Sequence, residues 1–219
     1  SITGATRMEI GWEHLLTTTR AVRRRLDFGR PVPRDVLLEC VRIAIQAPTG
    51  ANRQDWHFLF VDDTETKRAI AELYREVGDA YRRNLVKTYP PGDVRAERSV
   101  LVWDSVDYLR DRLHEVPVLL IPGVEGRLSL DEPANRQAAF WGSILPSVWS
   151  FMLAARAHGL GTTWTTFHLG REQEAAALLG IPYERVTQAG LIPVAYYTGE
   201  DFRPAHRLPV EQVVHWGAW

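Results

Sequence analysis

The sequence predicts a single α+β domain, with several helices packed around one central sheet of about four strands. Three observations carry that expectation. Short runs rich in aromatic and β-branched residues, at Trp56–Val61, 116–121, 162–166 and 186–197, read as strands. Helical periodicities lie between them in mixed order, without the strict alternation of a doubly wound array. The 219 residues show no repeat and no low-complexity linker, so one core accounts for residues 1–219.

Taken in order, the first clear helix is announced by Pro31 and Pro33. Val36, Leu37, Cys40, Val41, Ala44 and Ile45 then recur at three- and four-residue spacings, and Pro48 and Gly50 stop it. WHFLFV at 56–61 is a buried strand closed by Asp62 and Asp63. Residues 65–113 are helical and charged on one side, broken by Tyr89-Pro90-Pro91-Gly92-Asp93 into two helices that form a cover segment. VPVLLI at 116–121 is a second core strand. Residues 134–158 form a long helix whose apolar positions run nearly all the way round, which predicts burial on every side. Pro146 lacks an amide donor, so it kinks that helix or breaks it in two. Residues 162–166 form a strand, 172–179 a short helix ending at Gly180, and 186–197 a strand before a proline-punctuated tail. Gly159 and Gly161 follow a helix and precede a strand, the wrong context for a dinucleotide-binding turn.

Composition excludes more than it assigns. Apolar residues at 45% and charged residues at 24% suit an ordinary globular domain, and a net charge of −1 argues against nucleic acid or an anionic membrane as partner. No apolar stretch approaches the roughly 20 residues of a bilayer span, and the start lacks a signal-like apolar run. The lone Cys40 cannot form an internal disulfide, which suits a reducing, cytoplasmic setting.

The chemistry-bearing residues are scattered. Arg20, Arg23, Arg24 and Arg25 form a run whose planar, permanently charged forks match phosphate oxygens, though read alone it is more readily a solvated basic stretch. APTGANRQDW at 47–56 offers Thr49, Asn52 and a permissive Gly50, as a heteroaromatic edge or an ordinary loop would need. Arg203 and Arg207 in the tail face the same choice. Glu39, Glu115 and Glu125 are catalytic carboxylates only in principle. His114, His158, His168 and His206 fall at no metal-ligand spacing, and the motifs of hydrolases, nucleotide hydrolysis and zinc sites are missing.

The order of these weak signals is specific. An arginine-rich start, P-V-P and an amphipathic helix, APTGANRQDW and a strand, a long apolar helix, GLGTTW, and a late arginine together resemble the FMN-dependent nitroreductase family. The resemblance runs from about Arg20 to Trp216. It implies an α/β/α sandwich with a central mixed, mainly antiparallel sheet, in a homodimer whose two subunits share each FMN site. By position, Arg20 and Arg24, or Arg23 one register over, resemble the phosphate-binding arginines, joined by Arg203 and Arg207 from the tail. Pro48, Thr49 and Asn52 correspond to the loop at the flavin edge, Ile144, Leu145 and Pro146 to the helix against the flavin, and Gly161, Thr162 and Thr163 to the strand beside its reactive side. Ala21 and Val22 stand where a serine is common, and Asp55 where a proline is usual. The Thr162-Thr163-Trp164-Thr165-Thr166 run replaces a glutamate-glycine pair and looks closer to dehalogenase-like relatives.

The implied activity is ping-pong transfer of hydride from NADPH or NADH to a small aromatic or quinone-like acceptor, with no metal. Thr163 and Thr165 are candidate proton donors, and Tyr74, Tyr81, Tyr89 and Trp103 of the cover are candidate stacking rings. Reductive dehalogenation, breakdown of the flavin itself, or flavin holding without turnover are the alternatives on the same fold. The apolar tail at 213–219 is a hint of a second subunit, unless it folds back on its own chain.

Overall fold

The computed structural model describes residues 9–85, 89–90 and 92–219. Pro91 of the expected turn and the first eight residues, where no signal-like run is read, lie outside the described residues. Seven α-helices are described: α1 (Trp12–Thr18), α2 (Arg34–Ala44), α3 (Thr64–Asn84), α4 (Val94–Arg112), α5 (Ala134–Gly142), α6 (Leu145–Ala157) and α7 (Glu172–Leu179). The strands are β1 (Trp56–Val61), β2 (Val118–Glu125), β3 (Leu160–Thr162), β4 (Val186–Gln188) and β5 (Ile192–Tyr196).

Local chemistry sets most boundaries. The carboxylate of Asp63 caps α3 by accepting from the Thr66 amide at 2.8 Å, and Asp93 caps α4 by accepting from the Arg95 amide at 2.8 Å. Gly180 closes α7 at φ +69°, a left-handed turn that costs glycine nothing. The ladders are antiparallel in the order β1-β2-β5-β3, with β4 continuing beside the far end of β2. A parallel bridge between Ala21 and Thr162 makes the sheet mixed.

Side chains alternate across β2 and build two cores. Val118, Leu120 and Val124 pack with α2 and α6, around Leu37, Cys40, Val148 and Phe151. Leu119 and Ile121 pack on the opposite face with Ile70 and Tyr74 of α3 and Ala175 of α7. The result is the expected α/β/α sandwich. Cys40 is fully buried, and burial pushes its thiol up to about 12, so it is packing and not chemistry.

Several local expectations need correction. The 186–197 segment is two strands, because Ala189-Gly190-Leu191 leaves the ladder where the Trp164 indole closes over the bare Gly190 backbone. Residues 160–162 form β3, whereas 163–166 keep one bridge, Thr165 to Leu191. The long apolar helix does break in two as Pro146 predicts, at Ser143 and Ile144, with Pro146 in the first turn of α6. Its two halves differ in burial: α6 is a core helix, while α5 has no buried residue and Trp149 is 42% exposed. Ala134–Ala157 is also long and apolar enough to cross a bilayer by length and composition, contrary to the sequence expectation, yet its α6 half is packed on the sheet. Helix α1 was not anticipated at all.

Candidate functional site

The site is built from two halves, and the first gathers arginines. The Val22 amide donates to the Thr162 carbonyl at 2.9 Å, which lays the N-terminal segment along β3. Only glycine fits at 161, since a Cβ there would sit 2.9 Å from Val22 Cγ1. Arg20 and Arg23 then line a pocket of about 260 Å³ with Arg98 of α4 and His206 and Arg207 of the tail. Arg23 also donates to Ser105 Oγ at 3.4 Å, and burial lowers its guanidinium from the ordinary value. Among the described residues no carboxylate lines this pocket, and none of its four arginines is ion-paired. Four converging guanidinium groups repel one another, so the arrangement suits an anion with several acceptor oxygens.

The other expected arginines are committed elsewhere. Arg24 makes a two-pronged contact with Asp104, at 2.6 and 3.1 Å, and lies over the Tyr108 ring. Arg25 donates to the carbonyls of Thr198 and Glu200 and stacks on Phe202. Arg203 is exposed and contributes its carbonyl, which accepts from Arg20 at 3.4 Å. Of the run, Arg20 and Arg23 face the pocket, and Arg24 and Arg25 do not line it. The tail that delivers Arg207 is pinned by Arg156, 2% exposed, which donates to the Tyr197 hydroxyl at 2.6 Å and to Asp201. His14 Nε2 reaches the same carboxylate at 2.5 Å, and these contacts, His14 foremost, pull Asp201 down to about 2. Sequence reasoning missed Arg156 in its apolar helix.

Just after β3 the polar groups split. Thr165 Oγ1 donates to the Leu191 carbonyl at 2.8 Å. Thr163 is fully buried and its hydroxyl has no hydrogen-bond partner, which is costly unless something else supplies one.

The second half is the 47–56 loop. Ala51, Asn52 and Gln54 have φ of +52°, +55° and +56°, and they are all the non-glycine residues with positive φ among the described residues. Such strain is held only where surroundings enforce it, and it concentrates at functional sites. The Gln54 amide donates to Thr49 Oγ1 at 3.2 Å, Gln54 Nε2 to Asn52 Oδ1 at 3.1 Å, and the Gly50 amide to Ser143 Oγ at 2.9 Å. That last bond fixes the loop to the α5–α6 break, beside Ile144 (buried), Leu145 (half-buried) and Pro146 (exposed). A cavity of about 430 Å³ opens here between Gly50, Ala51, Phe140 and Ser143, with Pro48 exposed at the loop's start.

The two halves do not meet within one chain. The loop runs into β1 and the arginines flank β3, the two edges of the sheet, roughly 14 Å apart across three strand spacings. Above the arginine pocket, the cover forms a larger cavity of about 660 Å³, lined by Tyr81, Tyr89 and Trp103 and sharing Arg98, His206 and Arg207 with it. Tyr74 is not part of it, being buried against Phe167 with ring centres 5.1 Å apart. No cluster of metal-ligating side chains occurs among the described residues.

Comparison with known proteins places this architecture. The chain is 30% identical to an NADH dehydrogenase of Thermus thermophilus over 211 residues, 90% of this chain and 91% of the other. It is 25% identical to human iodotyrosine deiodinase 1 over 206 residues, 91% of this chain and 66% of that protein's length. The structure of the FMN and NADPH-dependent nitroreductase NfnB from sphigopyxis sp. strain HMH superposes with a TM-score of 0.68 at 20% identity, covering 96% of this chain and all of that one. The sequence profile of the nitroreductase family matches residues 16–196. The chain belongs to the nitroreductase family.

Proposed function

We propose that this nitroreductase-family oxidoreductase holds FMN between two copies of the chain and moves hydride from NADPH or NADH to a small aromatic or quinone-like acceptor. The observation that carries the reading is the pocket of Arg20, Arg23, Arg98 and Arg207, four cations with neither an ion-pair partner nor an acidic wall among the described residues. It fits a phosphate. Arg20, Arg23 and Arg207 would hold the phosphate, with Gly161, Thr162 and Thr163 beside the ring. Pro48, Thr49, Asn52, Ile144, Leu145 and Pro146 would close the site from the second copy, which reconciles the two separated halves. Bound there, FMN supplies two-electron chemistry, taking hydride from the nicotinamide and giving it to the acceptor in turn. The protein binds and orients; Thr163 is the hydroxyl free to hold a proton, and Thr165 is committed to Leu191.

Residues 1–219 act as one domain, with 65–113 as the cover over the pocket. The second copy is supported by apolar surface that one chain leaves bare: Trp12 is 75% exposed, Trp216 91% and Trp219 fully, so the last residues of the tail stay uncovered by their own chain. Cys40, buried and unpaired, suits a reducing compartment such as the cytoplasm.

The test is the visible spectrum of the purified protein and identification of what heat releases. FMN at about one per chain, bleached by NADPH or NADH without air, supports the reading. A protein that stays colourless after incubation with FMN overturns it. Reductive dehalogenation is the second reading, favoured by the similarity to iodotyrosine deiodinase 1 and by the threonine-rich 162–166 segment. Halide release from a halogenated phenol under reductant separates it from simple acceptor reduction.

A further inference from the structure

The cavity under the cover carries a chemical preference of its own. Its volume of about 660 Å³ falls within the range of sites for small organic ligands. Tyr81, Tyr89 and Trp103 give it flat aromatic walls, with the Tyr81 and Trp103 rings 5.9 Å apart and inclined by 32°. Leu85, Val102, Leu208 and Val213 complete an apolar lining. Among the described residues, Arg95, Arg98, Arg207 and His206 line it and no aspartate or glutamate does.

Those cations are not equivalent. Arg95 is held in an ion pair by Asp93 at 2.6 Å, which drives that carboxyl down to about 2. Arg20 and Arg23 line only the smaller arginine pocket, and Arg207 lines both. Arg98 stands on α4 where the two cavities meet, belongs to the cover, and is not ion-paired among the described residues. A phosphate gripped by Arg20, Arg23 and Arg207 leaves Arg98 as the cation facing the aromatic chamber. We infer that the chamber selects flat aromatic acceptors that carry a carboxylate, with Arg98 as the specificity residue that receives it. The inference rests on the flavin reading for the word acceptor, but not for the binding preference itself. An uncharged nitroaromatic or quinone would fill the aromatic walls and leave the guanidinium without its anion.

The test uses 4-nitrobenzoate and its neutral counterpart 4-nitrobenzamide, titrated calorimetrically into the oxidised, FMN-loaded protein with no reductant present. The carboxylate is expected to bind about tenfold or more tighter, with the advantage shrinking as salt rises. Arg98→Gln should bring the two affinities to within about twofold, and Arg98→Lys should restore part of the preference by restoring the charge. Arg20→Gln should weaken FMN retention and leave the ratio of the two ligands intact. Equal binding of the two ligands to the unaltered protein, or a ratio unchanged in Arg98→Gln, overturns the inference. Loss of FMN from Arg98→Gln overturns it as well, by assigning Arg98 to the phosphate. If the protein holds no FMN, the same titration on the protein as purified still measures the preference, so the two readings fail separately.

Discussion

At the scale of single residues, the arginine cluster makes the sharpest forecast. Arg23→Gln removes a charge-assisted donor from a partly desolvated pocket. Such donors are worth about 1.5–3 kcal/mol, so FMN affinity should fall roughly 10- to 100-fold in a fluorescence titration of the apoprotein. Arg24→Gln should leave it nearly unchanged, because that guanidinium is spent on Asp104 at the surface. Equal losses would undo the register. His168 makes a second forecast. It is fully buried, its Nε2 lies 3.0 Å from Gln188 Oε1, and burial pushes the imidazole down to about 4 despite that hydrogen bond and Glu172. The unfolded chain therefore binds the proton more readily than the native one between about pH 6.5 and 4. Stability from this group is complete above pH 6.5 and is lost as pH falls, by up to about 3 kcal/mol. Urea midpoints at pH 7.5 and 5 should show the drop, and His168→Asn should flatten it. Sequence alone offered Arg20, Arg24 and Arg207, with Arg23 one register over, through their order along the chain. It could not choose between Arg23 and Arg24, since the choice is made by Asp104, 80 residues away. Arg98 and Ser143 left no local signature, because their roles exist only where α4 meets the tail and where the loop meets the α5–α6 break.

At the scale of elements, backbone geometry ties the two halves to their strands. Gly161→Ala would push a methyl group to 2.9 Å from Val22 and pry the arginine segment from β3. Overpacking of this kind costs about 1–3 kcal/mol, and the variant should melt earlier and retain less FMN. Ala51→Gly has the opposite sign for stability. A left-handed residue other than glycine costs roughly 1–2 kcal/mol, so relieving Ala51 at φ +52° should raise the melting temperature by a few degrees. A lower melting temperature would show that the strain is not borne at this residue. Most elements were legible because their periodicity is strong: the α2 face, β1, the core of β2 and the short α7 all follow it. The segment 186–197 misled because its loose alternation runs on through 189–191 while its ladder of hydrogen bonds does not. Ala189 donates to Pro122 and Leu191 exchanges both bonds with Thr165, so pairing switches within three residues. The apolar girth of 134–158 was read as burial, whereas in α5 it is surface.

At the scale of the whole molecule, separated half-sites dictate how the protein should behave as an assembly. Light scattering should return about twice the 24.9 kDa chain mass, and a chain cut after Pro209 should shift toward monomer and lose flavin together. Mixing discriminates further. Arg23→Gln damages the arginine half and Ser143→Ala the loop half, so random reassortment leaves about a quarter of the sites free of both lesions. Activity regained on mixing two weakened variants would place the halves on different subunits, and no gain would place them on one. The pocket of four unpaired cations has one more consequence. Without an anion it is a concentrated charge that resists compaction, and with one it becomes a reason for two chains to stay together. Ligand and subunit association are then thermodynamically linked, each tightening the other by the same factor. Dilution should bleed colour from the protein, added flavin should lower the concentration at which dimers form, and specific activity should climb with how much of the protein a cell makes.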